Sequence, residues 1–298
     1  MSTISERLAS PASDLARLRT PGWQAAAMTV PRLIHAAPAQ AVRELPASAR
    51  SLSVQMLDGF RIWQGSEPLP LLPRGRVRAL LKLLLLRRRR PVSRPRLAAL
   101  LWPDADADSA RNNLHVSLHR LRRVLGPAAC LHLSDEGYQL LTPGDAWLDT
   151  EQFVHHVDLA THAERAGRAT EAIAQYEAAL ALYHRDLLEE GEWECALAAD
   201  AQALRARLVE ALDRLSTLLE FRGHWHGCLH ASLRHLRLDD CNELAHQRLM
   251  RCYDHLGQVQ MVEQQYLQCV QTLRRRLDVP PRADTTALYR RIATRRAA

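Results

Sequence analysis

The sequence predicts a mainly α protein in two parts: a small unit of three strands, three helices and a closing hairpin, then an all-α helical repeat. Three observations carry this expectation. Short β-rich runs separated by Gly turns occupy residues 51–72, apolar residues of helical period occupy residues 74–125, and three similar glycine-led amphipathic stretches recur after residue 150.

The elements follow in order. Residues 1–50 are rich in Ala, Ser and Arg, with Pro11, Pro21, Pro31, Pro38 and Pro46 breaking every apolar period, so a disordered leader is expected, with a short helix around Ile4–Arg19. Ser53–Leu57, Phe60–Trp63 and Leu69–Leu72 read as short strands around the turns Asp58-Gly59 and Gln64-Gly65-Ser66. A helix is expected from about Arg74 to Arg88, with Val77, Leu80, Leu81, Leu84 and Leu85 on one stripe, stopped by Pro91. Ser93 caps a second helix, Arg94–Leu101, closed by Trp102-Pro103. A third runs from about Ser109 to Leu125 and ends at Gly126-Pro127, and Leu131–Ser134 and Tyr138–Leu141 flank Asp135-Glu136-Gly137 as a hairpin.

Beyond Thr150 the pattern is helical. Gly167, Gly223 and Gly257 each lead an amphipathic stretch, and the last two lie 34 residues apart, the period of tetratricopeptide helix pairs. The 56 residues from Gly167 to Gly223 predict an inserted helix, roughly Trp193–Arg207. The expected domains are thus a leader at 1–50, a winged helix-turn-helix at 51–143 and a tetratricopeptide-like domain at 150–298.

Charge divides at the same places. Residues 51–143 hold fifteen Lys+Arg against seven Asp+Glu, whereas residues 144–298 hold nineteen Arg against twenty-three acids. A basic block beside a mildly acidic remainder suits a polyanion-binding module joined to a second domain. No apolar run approaches membrane-spanning length, since Leu83–Leu86 is closed by Arg87–Arg90. With no secretory leader pattern either, a cytoplasmic protein away from the membrane is expected. The six scattered cysteines form no C-x-x-C pair and read as reduced thiols.

The third helix carries the chemistry. At about 100° per residue, Ala110, Leu114, Leu118, Leu121 and Leu125 make one core stripe. The opposite face holds Asn112, Val116, His119 and Arg123, flanked by His115 and Arg120. Arg forks onto guanine, Asn onto adenine, and an apolar Val meets a thymine methyl. An isolated Val on a polar face has no folding purpose, so base reading explains this face better than solvation does. Arg87–Arg90 is louder but less specific, because cations at a helix end also favour the helix dipole.

Other chemistries lack parts. His224/Cys228 and His226/His230 have i,i+4 spacing, yet the pairs point about 200° apart on one helix, so they cannot share a metal. The only lysine, Lys82, follows no glycine-rich loop, and G-x-S-x-G, H-E-x-x-H and G-x-G-x-x-G are all missing. No enzymatic activity, cofactor or metal is expected.

With these residues assembled, about residues 52–295 resemble the bacterial antibiotic-regulatory-protein family of activators, which join an OmpR-type winged helix to a bacterial transcriptional activator domain. The resemblance rests on RPVSRPRLAALLWPD, SARNNLHVSLHRLRRVLG and DEGYQLL in the first part. In the second it rests on WLDTEQF, GRATEAIAQYEAALALY, HQRLMRCYDHLGQ and LRRRLDVPPRADTTALYRRI. It implies that Arg111–Leu125 is a recognition helix entering the major groove, with Arg111, Asn112, His115, Val116, His119, Arg120, Arg122 and Arg123 as its DNA-binding residues. It implies that the Leu131–Leu141 hairpin is the wing, near the flanking phosphates. Promoter direct repeats, help to RNA polymerase and a homodimer on tandem sites are the partners it suggests. The leader lies outside the family pattern, and the middle repeat is degraded. Two alternatives stay open: a protein-interaction adaptor, and a regulator gated by a small molecule on the helical surface.

Overall fold

The computed structural model describes residues 52–70, 72, 75–126, 130–142, 146–188 and 194–297; the leader expected at 1–50 lies outside the described residues. Strands β1 (Leu52–Gln55) and β2 (Arg61–Gln64) pair antiparallel, with Val54 opposite Ile62, and β3 (Glu67–Pro68) adds to β2. The third strand thus sits earlier than Leu69–Leu72. The Leu69 amide still donates to the Ile62 carbonyl at 2.9 Å, but Pro70 has no N–H and the ladder stops there.

Helices α1 (Arg76–Leu86), α2 (Arg94–Leu101) and α3 (Ala107–Leu125) follow, then the hairpin of β4 (Cys130–Ser134) and β5 (Gly137–Leu141). A strand that the sequence did not announce, β6 (Trp147–Leu148), returns to pair parallel with β1, completing a sheet of order β3-β2-β1-β6. Residues between the two expected domains therefore close the first domain's sheet and lead straight into α4 (Asp149–Arg165).

The predicted stripe of α1 is buried, with Val77 at its margin, and so are Arg78, Lys82 and Leu83. The helix is enclosed because it also packs on the 3-10 turn Glu194–Leu197 that precedes α6. Its buried cations end on carbonyls: Arg78 donates to the Leu72 oxygen, and Lys82 Nζ donates to the Leu187 oxygen at 2.9 Å. A buried charge is tolerable only with such partners.

The remaining helices pair as α4 with α5 (Ala169–Leu182), α6 (Ala198–Phe221) with α7 (Trp225–Leu238), and α8 (Glu243–His255) with α9 (Val259–Leu277), before α10 (Ala283–Ala297). Gly167, Gly223 and Gly257 occupy the turn inside each pair with φ of 73°, 71° and 73°, a left-handed conformation costly for a side chain. The repeat positions Ala172, Cys228 and Val262 are all buried. The helix expected over roughly Trp193–Arg207 is not a separate element: its described residues are the 3-10 turn and the first part of α6. The extra length goes instead into α6, at 24 residues the longest of these helices, and into the connection that carries the 3-10 turn.

One apolar core runs from Leu52 in β1 through α1–α3 and α6 to Cys228 and Ala231 in α7 and Cys252 in α8, while Leu249, Met250, Tyr253, Val262, Leu288 and Ile292 make a second cluster under α10. The two parts are also tied by polar groups. Asp149 Oδ2 accepts from the Met56 and Leu57 amides at 2.6 and 2.7 Å, and the His184 amide donates to the Leu57 carbonyl at 2.9 Å. Among the described residues no helix is long and apolar enough to cross a membrane. Cys130, Cys228, Cys241, Cys252 and Cys269 are free thiols.

Candidate nucleic-acid interface

Helix α3 begins two residues before the expected Ser109, because Asp106 is its cap. The Asp106 carboxylate accepts from the Asp108 amide at 3.1 Å and the Ser109 amide at 2.9 Å. These bonds, chiefly the one from Ser109, hold the carboxyl below the usual carboxylate range. The 19-residue helix is about 28 Å long and is pinned from one side. Ala110, Leu114, Leu118, Leu121 and Leu125 are buried as the stripe predicted, together with Ser117, against α1 and α2.

All eight predicted site residues, Arg111, Asn112, His115, Val116, His119, Arg120, Arg122 and Arg123, are exposed on α3. Val116 is 49% exposed, at the centre of the outer face. Arg111 lies 3.4 Å from Asp108 in an exposed i,i+3 pair, which steadies the first turn and places Arg111 at the edge rather than the centre. Asn113 is also exposed and falls within about 60° of Val116, nearer the centre than His115 or Arg122. The same angular count applied to every residue of the helix finds it; attention to the Val116 neighbours alone passes over it.

The hairpin is bound to the α1–α2 corner. Val92 and Tyr138 exchange both backbone hydrogen bonds, at 2.8 and 2.9 Å, and Gln139 Nε2 donates to the Arg88 carbonyl at 2.8 Å. Arg94 lies over the Tyr138 ring, 5.7 Å from its centroid. Gly137 has φ 138°, and a Cβ there would overlap the Val92 carbonyl and the Ser93 Cα. Residues 130–142 contain no Lys or Arg and carry Asp135 and Glu136 at the turn, so this hairpin is a poor phosphate ligand.

Cations lie beside it instead. A cleft of about 500 Å³ is lined by Arg87, Arg89, Arg90 and Arg96 with Ser93 and Glu136. The arginine run is divided in its use. Arg87 turns to Asp200 at 3.1 Å and Arg88 to Glu151 at 2.7 Å, both acids of the helical part; Arg89 also comes within 3.5 Å of Glu151 but is 82% exposed, and Arg90 is exposed. Glu151 is held below the usual carboxylate range by its hydrogen bonds from Arg88. Charge count in the sequence could not distinguish the two uses.

In the helical part, Cys228 is buried with its thiol 3.4 Å from the Ser216 carbonyl, while His224, His226 and His230 are exposed. The thiol and the histidines do not gather into one ligand set.

Comparison with known proteins agrees with this arrangement. Residues 148–293 match the family model described as bacterial transcriptional activator domain, and residues 70–140 match the one described as transcriptional regulatory protein, C terminal. The transcriptional regulatory proteins EmbR of Mycobacterium tuberculosis and of Mycobacterium bovis are 32% identical over 118 residues, which cover 38% of this chain. That alignment spans 30% of the length of these curated relatives. The solved structure of Mycobacterium tuberculosis EmbR in complex with a low affinity phosphopeptide shares the fold, with a TM-score of 0.62 at 22% identity over 82% of this chain and 65% of that one. With both domain models matched in order along one shared fold, the chain belongs to the bacterial transcriptional regulators of the antibiotic-regulatory-protein type, which join an OmpR-like winged helix to a bacterial transcriptional activator domain.

Proposed function

We propose that this regulator is a sequence-specific double-stranded-DNA-binding activator that reads bases with the outer face of α3. The observation that carries the reading is Val116, an apolar side chain left 49% exposed amid Asn, His and Arg on a helix whose other face is fully packed. A major groove about 12 Å wide admits a single helix. In it Val116 meets a thymine methyl, Asn112 and Asn113 suit adenine, and Arg120 and Arg123 suit guanine. Arg111 and Arg122, nearer the edge, serve the backbone together with Arg89, Arg90, Arg94 and Arg96.

On this reading residues 51–143 bind DNA and residues 150–298 contact RNA polymerase or a second copy bound to a direct repeat of a promoter. The protein acts in the cytoplasm and catalyses nothing. Arg87, Arg88 and Asp149 support this division, because they fix the helical domain against the DNA-binding one instead of leaving it on a loose tether. The test is selection of binding sites by the full chain from a pool of random duplexes. Enrichment of one motif, repeated in the same orientation, is expected; a pool that emerges without a motif contradicts the proposal.

A further inference from the structure

The cleft at the α1–α2 corner carries charges of both signs that do not neutralise each other. Arg89 and Arg90 line it from the segment after α1, Arg96 from the first turn of α2, and Glu136 from the hairpin turn. All four side chains are exposed. Among the described residues Glu136 pairs with no cation, Arg90 and Arg96 pair with no acid, and Arg89 reaches only Glu151, at 3.5 Å.

The walls of the cleft are fixed. Val92 and Tyr138 exchange backbone hydrogen bonds at 2.8 and 2.9 Å, and Gln139 Nε2 donates to the Arg88 carbonyl, so the hairpin that carries Glu136 is tied to the segment that carries Arg89 and Arg90. Ser93 adds a hydroxyl that makes no capping bond, at the start of α2, where the helix dipole favours an anion. Leu86, Pro91 and Val92 add apolar lining. The volume, about 500 Å³, falls within the roughly 300–1,000 Å³ of small-molecule sites.

We propose that this cleft binds a nucleotide, with its phosphates on Arg89, Arg90, Arg96 and Ser93 and Glu136 accepting hydrogen bonds from its base or ribose, and that bound nucleotide competes with the DNA backbone. The competition rests on the DNA-binding reading, because Arg89, Arg90 and Arg96 serve both ligands; the binding itself does not. Two observations favour a nucleotide over a plain phosphate or the duplex backbone. Glu136 only accepts hydrogen bonds and repels a ligand that is anionic throughout, whereas a nucleotide is anionic at one end and rich in donors at the other. The apolar lining suits the face of a base, which neither inorganic phosphate nor a phosphodiester chain presents.

The test uses the full chain, first without DNA, in calorimetric titrations with ADP, GDP, CDP, UDP and pyrophosphate. At least one nucleotide should bind saturably and about tenfold more tightly than pyrophosphate, the contribution of a hydrogen bond to a carboxylate. Glu136→Ala should keep the wild-type melting curve, weaken that nucleotide about tenfold and leave pyrophosphate unweakened. Arg90→Gln/Arg96→Gln should weaken both ligands. In a second arm, the nucleotide should weaken binding of a random-sequence duplex of about 30 base pairs, and at the same nucleotide concentration should do so less in Glu136→Ala. Absence of binding by all four nucleotides at millimolar concentration overturns the proposal. Pyrophosphate that binds as tightly as the nucleotides, with no effect of Glu136→Ala, makes the cleft a general anion site and also overturns it. Nucleotide that binds without weakening the duplex overturns the competition. Wild type that binds nucleotide but no duplex overturns the DNA-binding reading instead.

Discussion

Arg88 grips Glu151 with two parallel hydrogen bonds, Nε to Oε1 and Nη2 to Oε2, each 2.7 Å, and so joins the end of the first domain's α1 to the first turn of α4. Such a fork is stronger than a surface ion pair because both partners are part-buried and geometrically matched. Arg88→Ala should destabilise the protein by about 1–3 kcal/mol in chemical denaturation. The double variant with Glu151→Ala should cost less than the sum of the two singles. Strict additivity would mean that the pair does not couple the domains.

Asp149 makes stability depend on pH. Burial pushes its carboxyl up to about 6 from the ordinary 3.8, against the opposing bonds from the Leu57 and Met56 amides. The folded state therefore takes up a proton between about pH 4 and pH 6, so the contribution of Asp149 to stability declines as pH rises through that window. His235 and His246, whose protonation burial disfavours, act in the opposite sense below their ordinary 6.5. A comparison with Asp149→Asn isolates the carboxyl. Relative to wild type, the variant should gain on the order of 2–3 kcal/mol between pH 4 and pH 6. A difference that does not change with pH would contradict the assignment.

Gly137 should tolerate no side chain. Gly137→Ala places a Cβ against backbone atoms of Val92 and Ser93 and threatens both Val92–Tyr138 hydrogen bonds, at a cost of about 2–4 kcal/mol. Gly59→Ala is the control, since Gly59 has φ 84° but open space around its Cβ position, and should cost only about 1 kcal/mol. Equal losses at the two positions would show that conformation alone, not the packed corner, governs Gly137. Hydrogen exchange at the Val92 and Tyr138 amides reads the same event locally.

What could be read from the sequence was what local periodicity encodes. The leucine stripe of α3 and the exposure of Val116 follow from 3.6 residues per turn, and each repeat glycine marks a turn whose φ only glycine adopts cheaply. Features set by distant partners could not be read. Trp147–Leu148 is too short to look like a strand and becomes one only because β1 has a free edge. Within Arg87–Arg90, only the partly buried pairs of Arg87 and Arg88 with acids 113 and 63 residues away set them apart from Arg89, which reaches Glu151 from an exposed position, and from exposed Arg90. The start of α3 lies two residues ahead of Ser109 because the Asp106 carboxylate takes up the Asp108 and Ser109 amides, a bond that the apolar stripe does not encode.

The central claim is that α3 reads bases while the arginines beside it only hold phosphate. Leu118→Ala fixes the scale of a structural defect, emptying a core position at about 2–5 kcal/mol. Exposed Val116 and His119 should behave otherwise, since a lost base contact costs roughly 1–3 kcal/mol at one position of the site and leaves the fold alone. Arg89→Ala and Arg90→Ala should weaken all sequences alike. Binding-site selection on wild type, Val116→Ala, His119→Ala and Arg89→Ala, with thermal melts alongside, decides the matter. The account predicts an altered motif for the two α3 variants at unchanged melting temperature, and the wild-type motif at reduced affinity for Arg89→Ala. An unchanged motif in both α3 variants together with a shifted motif in Arg89→Ala would contradict it.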